Sequence, residues 1–221
     1  MPHRLIVLRH GRTAWNAERR FQGQADPPLD DTGRAQAYEV AALLAALKPE
    51  IIVSSDLRRA AQTAQPLATI SGLDLLPDAR LRERSLGHWE GLTRDEVERT
   101  YPDEFADWVA GRDISRRGGE SRHEVARRAR RCVDELPDVD TAVLVTHSAT
   151  AMALSCELLG LDQHVHVLGP LANCHWSELV YEPEDHAGRH WRLRSHNVGV
   201  PGTVIPLAVR PAEDEAPDAD A

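Results

Sequence analysis

The segment LIVLRHGRTAWN, residues 5–16, joins a short apolar run to a cluster of polar residues. Four consecutive branched apolar residues are typical of a strand that is buried on both faces of a parallel sheet. In such sheets the carboxyl ends of the strands border the ligand crevice, and the helices that follow point their N-termini into it. The segment therefore predicts a buried strand that delivers Arg9, His10 and Gly11 to a binding crevice.

Two later apolar runs end in the same way. IIV at residues 51–53 and AVLV at residues 142–145 are short and are followed at once by polar residues. Helical patterns separate the three runs, as in the βαβ units of a parallel sheet. We therefore predict an α/β fold, a three-layer α/β/α sandwich with a mostly parallel central sheet. The second and third strand ends would add Ser54, Ser55, Arg59, Thr146, His147 and Ser148 to the crevice.

The first two helices are marked by apolar spacing and by their opening residues. Apolar residues in the range 37–47 keep the spacing of one helix face, which predicts a helix opened by Asp30 or Thr32. A second helix is predicted to begin after Asp56 and to bend at Pro66, because proline removes a helical hydrogen bond.

Capping-box patterns predict the starts of two later helices, and alternation along the sequence predicts two later strands. Thr93 and Ser121 each stand three residues before a glutamate, the capping-box pattern that begins a helix. Alternating residues in the ranges 175–182 and 190–197 predict two strands joined by a turn at 185–188.

The composition indicates an ordinary globular protein. Of the 221 residues 42% are hydrophobic and 28% are charged, and no apolar run is long enough to span a bilayer. We expect a single domain, residues 1–205, in the cytoplasm. The net charge of −9 argues against a nucleic-acid surface. The final segment AEDEAPDADA is acidic and lacks large apolar residues, so we predict a disordered tail over residues 206–221.

The side chains at the strand ends have the chemistry of a phosphate site. Arg9 and Arg59 can each direct a planar fork of N–H donors at phosphate oxygens, and helix N-termini attract the same anion. A neutral histidine can attack phosphorus through one ring nitrogen while a hydrogen bond holds the other nitrogen. His10 and His147 beside the two arginines therefore predict phosphoryl transfer.

Four motifs, in this order along the chain, resemble a known family. RHGRTAWN, SSDLRRAAQTA, LRERSLGHWEG and VTH are similar to motifs of the histidine phosphatase superfamily, the phosphoglycerate mutase-like enzymes, and the likeness runs from about residue 4 to residue 197. FQG at 21–23, GGES at 118–121 and GPLANCHWSEL at 169–179 further resemble actinobacterial phosphatases such as the glucosyl-3-phosphoglycerate phosphatases. The resemblance implies a phosphoglycerate mutase-like fold and a phosphohistidine intermediate.

The resemblance also implies a role for each residue of the catalytic set. His10 would be the nucleophile, its second ring nitrogen held by backbone near Gly11. Gly11 itself would let the backbone approach the phosphoryl group closely. Phosphoryl oxygens would be bound by Arg9, Arg59 and Asn16, with His147 as a second cationic or hydrogen-bonding group.

Glu83 is the expected proton donor to the leaving group and then the base that activates water. For both tasks it must be protonated part of the time near neutral pH. The alternative is a structural Glu83 in a salt bridge with Arg80, Arg82 or Arg84.

Further positions match or depart from the family pattern around the substrate. Thr13, Gln22 and Gly23 match positions that line the phosphate or the substrate mouth. Ser148 departs from the commoner VTHGG pattern. Arg12 stands where glutamine or glutamate is frequent, and it would add positive charge at the mouth.

The last group of candidates would lie at the mouth, the entrance of the substrate pocket. Arg116 and Arg117 precede GGES and either bind a second anionic group of the substrate or form a solvated pair. The remaining candidates for shaping the mouth are Leu86, Trp15, Phe21 and Trp89.

We favour a metal-independent and cofactor-independent phosphomonoester hydrolase acting on a small phosphorylated metabolite, a sugar phosphate or glucosyl-3-phosphoglycerate. Phosphoglycerate mutase is the alternative, but mutases usually carry a tyrosine at the position of Leu86. A module that only binds a phosphorylated ligand would be expected to have a broken catalytic set. A metallophosphatase would use His164 and His166, whose spacing suits metal ligands. A homodimer is compatible with the resemblance.

Overall fold

A single six-stranded sheet forms the middle of the molecule. The computed structural model describes residues 1–164, 167–183 and 190–201. The strand order is β3-β2-β4-β1-β5-β6, in which the first four strands are mutually parallel, β5 is antiparallel to β1 and β6 is antiparallel to β5. The strands are β1 (Arg4–Arg9), β2 (Ile51–Ser54), β3 (Leu75–Pro77), β4 (Thr141–Thr146), β5 (Trp176–Tyr181) and β6 (Trp191–Val198).

Seven α-helices are described. They are α1 (Ala14–Ala17), α2 (Asp31–Ala45), α3 (Arg58–Ser71), α4 (Arg94–Thr100), α5 (Pro102–Val109), α6 (Arg122–Asp134) and α7 (Ser148–Leu159). Asp30 caps α2, and the predicted capping boxes at Thr93 and Ser121 are present. α3 begins after Asp56 as predicted and continues through Pro66 to Ser71.

Side chains of β1 point alternately to the two faces of the sheet, and helices pack on both faces to give three layers. Leu5 and Val7 pack in a core with residues of α6 and α7, whereas Ile6 and Leu8 pack with residues of α2 and α3. Successive side chains of a strand point to opposite faces, so each face of the sheet is covered by its own helix pair. The predicted three-layer, mostly parallel α/β fold is thus confirmed.

A small helical cluster was not predicted as a unit. Trp89, Val97, Phe105 and Ile114 form a separate apolar core, against which Phe21, Leu86 and Trp108 pack. Of the four core residues, Val97 lies in α4, Phe105 in α5 and Trp89 in the 3₁₀ turn at 87–89, and Ile114 directly precedes the 3₁₀ turn at 115–117. The cluster forms one wall of the crevice described below.

Some elements escaped prediction or lie outside the described residues. β3 has three residues at the edge of the sheet, and α1 has four, so neither shows a periodic pattern. The predicted turn at 185–188 and the tail at 206–221 fall outside the described residues. Within the described part of the chain, no helix combines the length and the apolarity needed to cross a membrane.

Candidate active site

Side chains from the carboxyl ends of β1 and β4 and from the start of α3 meet at one pocket of about 380 Å³. This is the edge of the sheet that the sequence predicts. Among the predicted site residues, the wall of the pocket contains Arg9, His10, Asn16, Gln22, Gly23, Arg59, Glu83, Leu86, Arg117 and Ser148. Gly11, Thr13 and His147 are buried behind that wall, and Arg116 is exposed outside it.

His10 is held in the state that a nucleophile needs. Its Nδ1–H donates to the carbonyl oxygen of Gly11 at 2.7 Å, which leaves the Nε2 lone pair available. Burial, together with the positive charges of Arg59 and Arg9, lowers the pKa of His10 well below its ordinary value of 6.5. The ring is therefore neutral near pH 7, as attack on phosphorus requires.

Arg9 and Arg59 give the pocket its positive charge. Arg9 Nη1 donates to Leu171 O at 2.5 Å, and its buried Nε has no partner among the described residues. Arg59 is fully buried and donates to Ala25 O at 2.6 Å and Gly23 O at 2.8 Å. Burial lowers the pKa of Arg59 to about 10, so this guanidinium stays charged at neutral pH. Both arginines keep N–H donors for an anion.

His147 supports Arg59 rather than facing the pocket. Its Nδ1 accepts from Arg59 Nε at 3.2 Å, and its Nε2–H donates to Ser55 Oγ at 3.0 Å. Burial and the charge of Arg59 lower the pKa of His147 well below 6.5. Of the two expected roles, cationic or hydrogen-bonding, the neutral hydrogen-bonding one fits this geometry. The ring lies 5.0 Å from that of His10, centroid to centroid.

Glu83 is fixed at the N-terminus of α7. Its carboxylate accepts from Ala149 N at 3.3 Å and from Thr150 N at 3.2 Å. Glu83 Oε1, the oxygen that accepts from Thr150 N, also accepts from Thr150 Oγ1 at 3.2 Å and from Arg84 N at 2.8 Å. These backbone bonds aim the carboxyl group at the pocket.

Glu83 forms none of the salt bridges of the structural alternative, because its three arginine neighbours pair with other carboxylates. Arg80 binds Asp78 and Glu135, Arg82 binds Asp56, and Arg84 binds Asp113.

Asn16 reaches the pocket because Thr13 holds it. Asn16 Oδ1 accepts from both the backbone N and the Oγ1 of Thr13, each at 3.1 Å, in a capping box at the start of α1. The amide oxygen is thereby occupied, and the Nδ2 donor is the atom left for a ligand. Thr13 is fully buried and outside the described pocket wall, so it positions Asn16, and its expected place beside the phosphate or the substrate mouth stays a prediction.

Helix packing gives Gly11 a second reason, beside the expected close approach of the phosphoryl group, which stays a prediction. A Cβ on Gly11 would lie 2.6 Å from the carbonyl oxygen of Gly33 in α2. The loop after β1 therefore packs directly on the backbone of α2. Gly11 N also donates to Thr63 Oγ1 at 2.9 Å.

Arg12 does not add charge at the mouth, contrary to expectation. Its Nε donates to Asp30 at 2.8 Å and its Nη2 to Thr32 Oγ1 at 2.7 Å. Arg12 thus ties the catalytic loop to the cap of α2. The other departure, Ser148, is the first residue of α7 and lines the pocket, so the turn from β4 into the helix is kept.

Arg116 and Arg117 lie in different environments in the structure. Arg116 is exposed and binds Asp107 at 2.9 Å, whereas Arg117 is 1% exposed and lines the pocket. The Arg117 guanidinium carbon lies 5.1 Å from the ring centroid of Trp89, which is fully buried beneath it instead of lying at the mouth. Arg117 Nε and Nη2 are buried without a partner among the described residues.

A tight backbone contact fixes Arg117 beside the Leu86 loop. Gly87 has φ of +56°, and a Cβ there would lie 1.9 Å from the carbonyl oxygen of Arg117. Burial and the nearby charge of Arg84 lower the pKa of Arg117 to about 10, so it remains a cation near neutral pH.

The sequence reasoning missed part of the pocket wall. The added residues are Arg20, Arg84, Trp108, Ala149, Met152 and Pro170, whereas Phe21, a predicted candidate for the mouth, does line the pocket. Trp108 packs edge-on against Phe21, with ring centroids 5.4 Å apart. The amphipathic pattern of α5 marks Trp108 as an inward residue, but nothing in the local sequence says which cavity it faces.

Comparison with known proteins agrees with the site. Residues 5–196 match the histidine phosphatase superfamily, branch 1. A glucosyl-3-phosphoglycerate phosphatase of Mycolicibacterium vanbaalenii is 41% identical over 207 residues, covering 86% of this chain and 92% of the relative. A Yersinia pestis relative named as a probable phosphoglycerate mutase is 35% identical over 197 residues, covering 86% and 91%. The solved structure of a mycobacterial glucosyl-3-phosphoglycerate phosphatase with VO3 has a TM-score of 0.80 at 38% identity, covering 89% of this chain and 100% of that one.

The fold, the pocket and these relatives define a phosphomonoester hydrolase. The chain belongs to the histidine phosphatase superfamily, branch 1. Hydrolysis is favoured over the mutase alternative, because identity to the phosphatase relative is 41% and to the mutase relative 35%, and because Leu86 stands where the family resemblance implies a tyrosine in mutases.

Proposed function

We propose that the protein hydrolyses a phosphomonoester whose leaving group carries a second anionic group, through a phosphohistidine on His10. The observation that carries the proposal is the neutral, buried His10 between two charged arginines, with Arg117 on the same pocket wall, whose Nε and Nη2 have no partner among the described residues. Glucosyl-3-phosphoglycerate, the substrate in the name of the phosphatase relatives, has this chemistry, since a phosphoglycerate bears a carboxylate as well as a phosphate.

In the first step, His10 Nε2 attacks phosphorus and the bond to the leaving oxygen breaks. Arg9, Arg59 and Asn16 hold the non-bridging oxygens, whose charge is redistributed as the phosphoryl group transfers. Glu83, in its acid form, gives a proton to the leaving alkoxide. The products are an alcohol and phosphohistidine.

In the second step, water attacks phosphohistidine and the N–P bond breaks. Glu83, now a carboxylate, takes the proton from water, so it ends the cycle protonated, as it began. His10 returns to the neutral ring whose Nδ1–H is held by Gly11 O. His147 acts through Arg59, as a positioning residue that keeps the guanidinium in place.

The wall built by the helical cluster suits the rest of the proposed substrate. Arg117 offers buried N–H donors to a carboxylate, and a charged pair formed there is shielded from water. Phe21 and Trp108 present aromatic surface beside it, on which an apolar face of a sugar ring can pack.

A phosphate-release screen tests the proposal. We expect glucosyl-3-phosphoglycerate to give the highest kcat/KM among sugar phosphates, phosphoglycerates, nucleotides and phosphoamino acids. Isomerisation of 3-phosphoglycerate without release of phosphate would instead establish the mutase. Absence of both activities in the folded protein would contradict the proposed hydrolase.

Arg117→Ala tests the second anionic group. We expect KM for phosphoglycerate-type substrates to rise about 10-fold to 100-fold, because a charge-assisted hydrogen bond contributes roughly 1.5–3 kcal/mol. KM for p-nitrophenyl phosphate, which has no second anionic group, should change little. Arg116→Ala is the matched control, since the neighbouring arginine pairs with Asp107 outside the pocket. An equal loss on both substrates would contradict the assignment.

The homodimer, the absence of nucleic-acid binding and the cytoplasmic location stay predictions of the sequence.

A further inference from the structure

A cluster of possible metal ligands lies outside the phosphatase pocket. Asp113, His123 and His164 place one ligand atom each within 4.8 Å of one another. Asp113 lies between α5 and α6, His123 is the second residue of α6, and His164 follows α7. None of the three belongs to the described wall of the phosphatase pocket.

Arg122 holds the three segments together. Its backbone N donates to both carboxylate oxygens of Asp113, at 3.4 and 3.3 Å, and its Nη1 donates to Gln163 O at 3.1 Å. One residue thus fixes the segment before His164 and the carboxylate of Asp113 against the helix turn that carries His123. The convergence of the three ligands follows from this packing.

The side chains are available to a cation. His123 and His164 are both exposed, with ring centroids 5.5 Å apart, and within the described ranges no hydrogen bond engages their ring nitrogens. Arg84 Nη2 donates to Asp113 Oδ1 at 2.6 Å, which orients the carboxylate, and Oδ2 accepts from Arg122 N at 3.3 Å and keeps a second lone pair for a cation. Only modest side-chain rotation is needed to bring ligand atoms to the separation of about 3.3 Å found around tetrahedral zinc.

We propose that Asp113, His123 and His164 form a binding site for a late first-row divalent cation of the Zn²⁺ and Co²⁺ class. Two imidazoles and one carboxylate favour such ions over Mg²⁺ or Ca²⁺, which prefer oxygen ligands alone. Water completes the coordination, since two of the three ligands are exposed. The catalytic pocket is a poor competitor for the cation because Arg9 and Arg59 repel it and both nitrogens of His147 are engaged.

The proposed cation site is connected to the phosphatase pocket through side-chain contacts. Asp113 pairs with Arg84, and Arg84 lines the pocket beside Glu83 and Arg117. A cation on Asp113 competes with Arg84 for the negative charge, so the pocket wall becomes more positive. This step rests on the proposed function and predicts that the cation lowers KM for an anionic substrate.

Titration of the metal-stripped full chain with Co²⁺ tests the site directly. The visible absorption of Co²⁺ reports nitrogen and oxygen ligands, and isothermal titration with Zn²⁺ counts the bound ions. We expect one ion per chain, with affinity falling about 10-fold or more in His123→Ala and in His164→Ala. His3→Ala is the matched control, because His3 is also exposed but precedes β1, at the opposite end of that strand from the pocket.

The outcomes test the cation site and its effect on the phosphatase pocket separately. Unchanged Co²⁺ affinity and spectrum in both histidine variants, or no binding at millimolar Co²⁺, would overturn the site. Binding without any change of KM, compared between the native chain and His123→Ala, would leave the site standing and refute the route through Arg84. Neither measurement of binding depends on phosphatase activity, so failure of the proposed function would be visible separately.

Discussion

The two sides of the pocket are built in different ways. On one side, Arg9 and His10 come directly from the end of a central strand, and Arg59 from the first turn of the helix after the next strand. On the other side, Trp108 and Arg117 stand on short helices that pack over an apolar core of their own. The first side carries the chemistry common to phosphoryl transfer, and the second carries features that can distinguish one leaving group from another. We expect substitutions on the two sides to be separable by substrate.

His10→Ala should give the largest effect. Loss of the nucleophile removes the covalent route, so kcat should fall about 10⁴-fold or more on every phosphomonoester. Phosphate release from both p-nitrophenyl phosphate and the best substrate of the screen measures this loss. Near-normal turnover by the folded variant would remove the phosphohistidine mechanism.

Glu83→Gln should give a smaller effect that depends on the leaving group. The amide keeps the shape of the carboxyl group but cannot transfer a proton, so alkyl phosphates should slow by about 10²-fold to 10³-fold. The p-nitrophenolate leaving group needs little protonation, and its release should slow much less. Equal losses on the two substrates would count against the proton-donor role.

Much of the strand side could be predicted from the sequence because its geometry is local. Arg9 and His10 follow an apolar run, and Arg59 follows one by a helical turn, so strand direction alone brings them to one edge. The hydrogen-bond partners of the two ring nitrogens of His147 could not be predicted from the sequence. Their partners, Arg59 and Ser55, are about 90 residues away along the chain.

The helical side shows where sequence reasoning ends. Arg116 and Arg117 are adjacent and chemically identical, and only Asp107 and Trp89, brought in by packing, send one to solvent and the other to the pocket. The orientation of Arg12 depends in the same way on Asp30. A side chain near the end of a predicted strand can therefore be assigned to a site only when its long-range partners are known.

Burial of His10 should also make the protein less stable in acid. Its pKa in the folded state is well below 6.5, whereas the unfolded chain has the ordinary value, so the unfolded state binds the proton first as pH falls. The stability present above pH 6.5 is therefore lost as pH falls towards the folded-state pKa, by up to about 1.4 kcal/mol per pH unit.

Urea unfolding between pH 7 and pH 5 measures this dependence. In His10→Ala the free energy of unfolding should fall less steeply with decreasing pH, since one buried titrating group is gone. His3→Ala, which removes an exposed histidine, should keep the native slope. Parallel slopes in all three proteins would show that His10 is protonated equally in the folded and unfolded states.

Arg12→Gln should give the smallest effect and is the sharpest test of the strand side. If Arg12 faced the substrate, removing its charge would raise KM for an anionic ligand. Instead its guanidinium binds Asp30 and Thr32 at the cap of α2, with the side chain 40% exposed. Partly exposed ion pairs contribute about 0–1 kcal/mol, so unfolding should become easier by no more than that while KM stays within about twofold of the native value. A large rise of KM without loss of stability would place Arg12 at the mouth after all.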